Sequence, residues 1–110
     1  MEKDWKKFCA MVPDLRERYL AKENQKFIEI LQAPDKSPTE RFWNAYEQMK
    51  ETRKILVTCF DGHSRSKLSD FIGLMYGYGI LTDKDLEAFS DEVLVGVELV
   101  KSIRNMDETQ

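Results

Sequence analysis

Apolar residues recur along this chain almost everywhere at helical spacing. Trp5, Phe8, Cys9 and Val12 stand at i, i+3, i+4 and i+7, which predicts a short amphipathic helix. Pro13 interrupts it, and proline suits the first turn of a following helix better than the interior of the first. From Pro13 to Gln32, Leu15, Tyr19, Leu20, Phe27, Ile28 and Leu31 keep the period around a polar centre, Lys22 to Lys26. Ala33-Pro34-Asp35-Lys36 reads as a loop.

The sharpest local signal follows. Ser37-Pro38-Thr39-Glu40 has serine at the cap, proline at the first helical position and glutamate at the third. Phe42, Tyr46, Met49, Leu56 and Phe60 then define the stripe expected to face the core. With no glycine or proline from Glu40 to Asp61, a helix of roughly 23 residues is predicted, ended by a left-handed Gly62.

Ser64 or Ser66 is the expected cap of the next helix, whose buried stripe is Leu68, Phe71, Ile72 and Met75. Gly73 and Gly77 bare one side of it for close approach of a neighbouring backbone, and Gly77-Tyr78-Gly79 closes it. Thr82 to Asp85 predicts a further cap, with Leu81 and Leu86 as a hydrophobic staple. The last stretch aligns Leu86, Phe89, Val93, Val97 and Val100, and Ser90 is the place where it could split in two. Acidic residues lie early in it and Lys101 and Arg104 late, as a helix dipole prefers.

These elements predict an all-α domain, a small irregular bundle of four to six helices spanning residues 1–110, with a frayed tail after about residue 105. Composition narrows the rest. With 110 residues, 42% hydrophobic and 34% charged, the chain suits one globular domain. Seventeen basic and 20 acidic residues leave a net charge of −3, so no global positive field draws nucleic acid or an anionic membrane. No apolar run approaches a membrane span, and Met1 to Trp5 lacks the core of a signal peptide. A cytoplasmic setting follows, with Cys9 and Cys59 as free thiols. No cofactor or metal is expected.

The one stretch with a chemical pattern is Cys59-Phe60-Asp61-Gly62-His63-Ser64-Arg65-Ser66, which holds the only histidine. It resembles the signature of the cysteine-dependent phosphatases: a cysteine, five residues, an arginine, then serine or threonine. A looser likeness is to the active loop of rhodanese-type sulfurtransferases. The resemblance implies Cys59 as a thiolate nucleophile, Arg65 as the anion clamp and Ser66 as a hydroxyl assisting the leaving thiolate. It also implies a strand over residues 55–58, with a parallel sheet behind it. The competing reading makes the same residues a corner between two helices, Cys59 a core residue and Arg65 and Lys67 solvated. The helical periodicity of the rest of the chain favours the corner.

Two further features bear on function. Lys50, Arg53, Lys54, Arg65 and Lys67 predict one basic patch at the corner, and Ser64, Arg65, Ser66 and Lys67 a small anion site. A DNA-reading helix pair is the third and weakest functional class, because the segment from Lys67 to Tyr76 is mostly apolar after its first turn. The aromatics are numerous, and Phe42 and Trp43 are adjacent, so one helix face cannot bury both. Trp43, Tyr46, Tyr76 and Tyr78 are the expected partner-binding residues. The span Val93-Leu94-Val95 with Val97, Leu99 and Val100 covers more than one face, as in a central helix or a homodimer contact. The balance favours a non-enzymatic adaptor, regulator or inhibitor that binds another protein.

Overall fold

The computed structural model describes residues 2–108. Five α-helices follow one another: α1 (Glu2–Leu31), α2 (Pro38–Phe60), α3 (Leu68–Gly77), α4 (Asp83–Leu86) and α5 (Val95–Glu108). Short 3-10 turns at Arg65–Lys67 and Asp91–Val93 join them, and among the described residues there is no strand. The chain is all-α, a small helical bundle.

α1 and α2 form an antiparallel hairpin. At 1.5 Å per residue, α1 alone is about 45 Å long, which accounts for most of the 51 Å long axis of the molecule. The thin dimension, 22 Å, is two helix layers. Phe8, Val12, Leu15 and Tyr19 of α1 join Cys59 and Phe60 of α2 in one core with residues of α3 to α5, chiefly Leu68, Ile72, Met75, Leu81, Phe89, Val93 and Val97. Beyond Tyr19 the two helices continue without a third layer, as a projecting arm.

A polar seam marks where the body ends and the arm begins. The buried Glu23 carboxylate accepts from Thr52 Oγ1 at 2.8 Å and pairs with Lys26 Nζ at 2.8 Å. Phe27 and Ala45 are buried further out, between the helices and apart from the main core. The Ser37–Glu40 capping box forms as expected, and Arg41 Nε donates to Ala33 O at 2.8 Å to brace the turn.

α3 and α5 cross at a pair of glycines. A Cβ on Gly73 would stand 2.7 Å from the carbonyl carbon of Gly96, and one on Gly96 would stand 2.5 Å from Ser69 O. Gly73 therefore does what its spacing predicts, with Gly96 as the partner that spacing did not name. Gly77 is looser: a Cβ there would stand 3.9 Å from the Val100 side chain. Arg104 Nη2 donates to Gly77 O at 3.1 Å and covers the end of α3. The Thr82–Asp85 capping box also forms, and Ser90 splits the last stretch as expected. Its N–H and hydroxyl donate to the buried Asp4 carboxylate at 2.9 and 2.7 Å, tying the first turn of α1 to the turn ahead of α5.

Three expectations are corrected. Pro13 does not start a helix; it lies inside α1, on the exposed face with Cys9, so the Cys9 carbonyl it leaves unpaired is on the solvent side of the helix. The inward residues of α2 are Ala45, Thr52, Cys59 and Phe60, whereas Phe42, Tyr46 and Met49 are exposed. Close pairing of two helices selects small Ala45 and Thr52 for the seam and leaves the large rings outside. Ser64 precedes the 3-10 turn but makes no side-chain cap bond, and α3 starts only after it. α5 is helical to Glu108, and the end of the expected frayed tail lies outside the described residues.

Candidate functional site

Residues 54–60 belong to α2, so the cysteine stretch is a helix end followed by a corner. Asp61 is the extended cap residue and Gly62 takes φ +76°. His63 then folds back, and its Nε2–H donates to Cys59 O at 2.7 Å. The ring meets Phe8 and Phe71 edge-on, with centroids 4.8 and 4.6 Å away. The histidine thus closes one carbonyl of the α2 terminus and packs α1 against α3.

The side chains of the phosphatase-like pattern do not converge. Cys59 is 0% exposed, and burial pushes its thiol up to about 11, away from the thiolate a nucleophile needs. Arg65 turns outward to Glu2, with Nε to Oε2 at 2.9 Å and Nη2 to Oε1 at 3.1 Å, and its guanidinium lies over the Trp5 ring. Glu2 in turn is held below the usual carboxylate range by the Arg65 hydrogen bond. Among the described residues the Ser64 and Ser66 hydroxyls have only each other, Oγ to Oγ at 3.4 Å. Lys67 borders a shallow groove with Thr58, Asp70, Phe71 and Leu74. The resemblance to a catalytic loop requires a strand before the cysteine, and a helix stands there. Among the described residues no three His, Cys, Asp or Glu side chains gather as a metal site would require.

The outer face of α2 offers a different assembly. Trp43, Tyr46, Lys50, Arg53 and Val57 follow one another at three- and four-residue steps on the side away from α1, with Lys54 one turn on from Lys50. Phe42 joins at the distal end, with its ring centroid 5.0 Å from Trp43 and stacked on Tyr46 at 6.5 Å. Trp43 meets Tyr46 at 5.8 Å, and Lys50 Nζ sits 5.3 Å from the Tyr46 ring centre. Leu31, Phe42, Ala45, Tyr46 and Met49 line an apolar groove of about 220 Å³ beside this cluster. Lys54 pairs with Glu51 at 3.2 Å, while Arg53 has no ion pair among the described residues.

The expected basic patch is therefore divided: Lys50, Arg53 and Lys54 share the outer face of α2 with the aromatics, Lys67 borders the groove at Thr58 and Phe71, and Arg65 belongs to the Glu2–Trp5 contact. The expected partner residues divide too. Trp43 and Tyr46 come together. Tyr76 is half-buried elsewhere, its hydroxyl donating to Asp83 Oδ1 at 3.0 Å and its ring between Lys101 and Arg104. Tyr78 is exposed in the turn after α3. The alignment of cations with aromatics was open to a helical count from Trp43, once α2 is taken to be straight through Val57. No family model matches the chain, and no curated protein or solved structure matches it either.

Proposed function

We propose that this chain is a non-catalytic binding module of the cytoplasm that docks another protein along the outer face of α2. The fit is best for a partner segment that is acidic and carries one or two apolar anchors. The observation that carries this reading is the exposed Phe42–Trp43–Tyr46 cluster aligned with Lys50, Arg53 and Lys54. Large rings left in water, and half-buried on binding, are the residue types that anchor interfaces. Cations in line with them supply orientation and encounter rate rather than bulk affinity. A nucleic acid strand is served less well, because Glu47 and Glu51 interleave with the lysines and pair with them. The reducing compartment is in keeping with two unpaired thiols.

Affinity capture with four versions of the protein tests the proposal. Wild type and Cys59→Ala should retain the same protein partner, whereas Trp43→Glu and Arg53→Glu should lose it while keeping a native far-UV circular dichroism spectrum. Equal retention by all four would sink the reading. Loss of binding on Cys59→Ala alone would return attention to the corner. Salt-sensitive binding of a single-stranded oligonucleotide, lost on Arg53→Glu with no protein retained, would replace the partner class.

A further inference from the structure

α5 carries two apolar edges, roughly 100° apart by helical spacing. One of them, Val97 and Val100 with Gly96, packs on α3 and the core. The other is Val95, Leu99 and Ile103, 65%, 63% and 52% exposed, with Met106 one turn further along. The geometry points to a contact between two copies of this chain, α5 against α5, about a two-fold axis passing between Leu99 and Ile103. This surface is separate from the outer face of α2, and neither depends on the other.

Three observations choose a second copy as the occupant. The first is area. The stripe leaves on the order of 300–400 Å² of apolar surface in water, within the range of the largest patch on a typical monomer. Two such stripes with their rims bury on the order of 1,200 Å² in total, the lower end for a specific interface. The second is rigidity. Gly73 against Gly96, the Gly96 N–H donating to Ser69 Oγ at 3.2 Å, and Arg104 on the carbonyl of Gly77 fix α5 on α3. The helix therefore cannot roll to bury its second edge within its own body.

The third is charge. Lys101 and Arg104 are held on the other side of α5, over the Tyr76 ring. Within α5 helical spacing sets Glu98 beside the stripe, and antiparallel pairing carries it to the opposite end from its mate. Residues at the axis, Leu99, Ser102 and Ile103, are uncharged, so the two-fold brings no like charges together. A lipid surface is poorly matched, because the cations that would meet its headgroups face the other way.

Sedimentation equilibrium from low micromolar to several hundred micromolar protein tests this. The wild-type mass should rise from one copy to two, and Leu99→Asp should stay at one copy throughout with unchanged circular dichroism. Ser102→Cys in a Cys9→Ser background should form a covalent dimer on mild oxidation, because the two-fold sets residue 102 beside its mate. That variant decides the matter if Leu99→Asp does not fold. A wild type monomeric at every concentration overturns the proposal. So does a dimer that survives Leu99→Asp and gives no cross-link at 102, or a monomer that co-sediments with anionic vesicles through Leu99.

Discussion

Gly96 has no room for a methyl group: its Cβ would sit 2.5 Å from Ser69 O, a backbone atom that cannot swing aside. In an open helix, glycine to alanine gains somewhat under about 1 kcal/mol. Here overpacking reverses the sign, and Gly96→Ala should lose about 2–4 kcal/mol in chemical denaturation. Gly77→Ala, with its nearest neighbour at 3.9 Å, should be close to neutral. Spacing alone marked Gly73 and Gly77 as a bare side of one helix. Which of the two is tight depends on where α5 crosses, and no local pattern encodes that. The thiols separate just as sharply. Cys9 is exposed and Cys59 buried with its thiol pushed up to about 11, so a thiol reagent at mildly alkaline pH should modify Cys9 at once and Cys59 only after unfolding. Prompt modification of both would contradict the packing of α2.

Buried carboxylates set the response to acid. Desolvation pushes Glu23 up, but the hydrogen bonds from Lys26 and Thr52 more than offset it, and its pKa falls below the ordinary 4.5. A carboxyl depressed in the folded state stabilises above its unfolded value, and that stability is lost as pH drops through the folded one. The same holds for Asp4, where the two Ser90 hydrogen bonds outweigh burial. Stability measured by urea titration should therefore decline below about pH 4.5, and Glu23→Gln should flatten part of that decline. A decline of the same steepness in the variant would show that the seam does not contribute to it.

At the scale of elements, caps were more legible than faces. Ser37-Pro38-Thr39-Glu40 and Thr82 to Asp85 each contain their whole hydrogen-bonding logic within four residues, and both form as expected. Ser37→Ala should cost about 1 kcal/mol, with the effect seen first in the arm. The α2 stripe was misread because helical spacing identifies residues that share a face, not which face has a neighbour. Among the described residues only α1 adjoins the arm half of α2, and it selects small residues. Pro13 misled for a related reason: tertiary packing of Val12 and Leu15 on either side holds α1 continuous across it. The missing hydrogen bond remains a cost, so Pro13→Ala should stabilise the protein by about 1–3 kcal/mol. Destabilisation instead would mean that α1 uses the proline geometry to reach the core.

At the scale of the whole molecule, the body and the arm differ in how many layers hold them. Core residues of α1 and α2 below the Glu23–Thr52 seam are covered by α3 to α5, whereas the arm has two helices only. Amide hydrogen exchange should accordingly be fastest in residues 24–50 and slowest around Phe8, Ile72 and Val97. Uniform protection along α1 would require a third layer over the arm, such as a bound partner. The functional reading was legible to a similar, partial extent. Trp43 and Tyr46 were marked by the sheer number of rings, but their alliance with Lys50, Arg53 and Lys54 needed a continuous α2. The cysteine pattern left two readings open because its eight residues fit a helix corner as well as a loop, and the periodicity around it already favoured the corner.

The bond between Asp4 and Ser90 joins positions 86 residues apart. A ribosome releases the chain from its first residue onward. Phe8, Val12 and Leu15 thus emerge long before the residues from Leu68 to Val97 that will cover them. Until then the nascent hairpin has a sticky inner surface and an unanchored front end. The turn at Ser90 that latches the first turn of α1 is made long after it, so an arrest of synthesis between α2 and Ser90 leaves an open, aggregation-prone product rather than a smaller folded one.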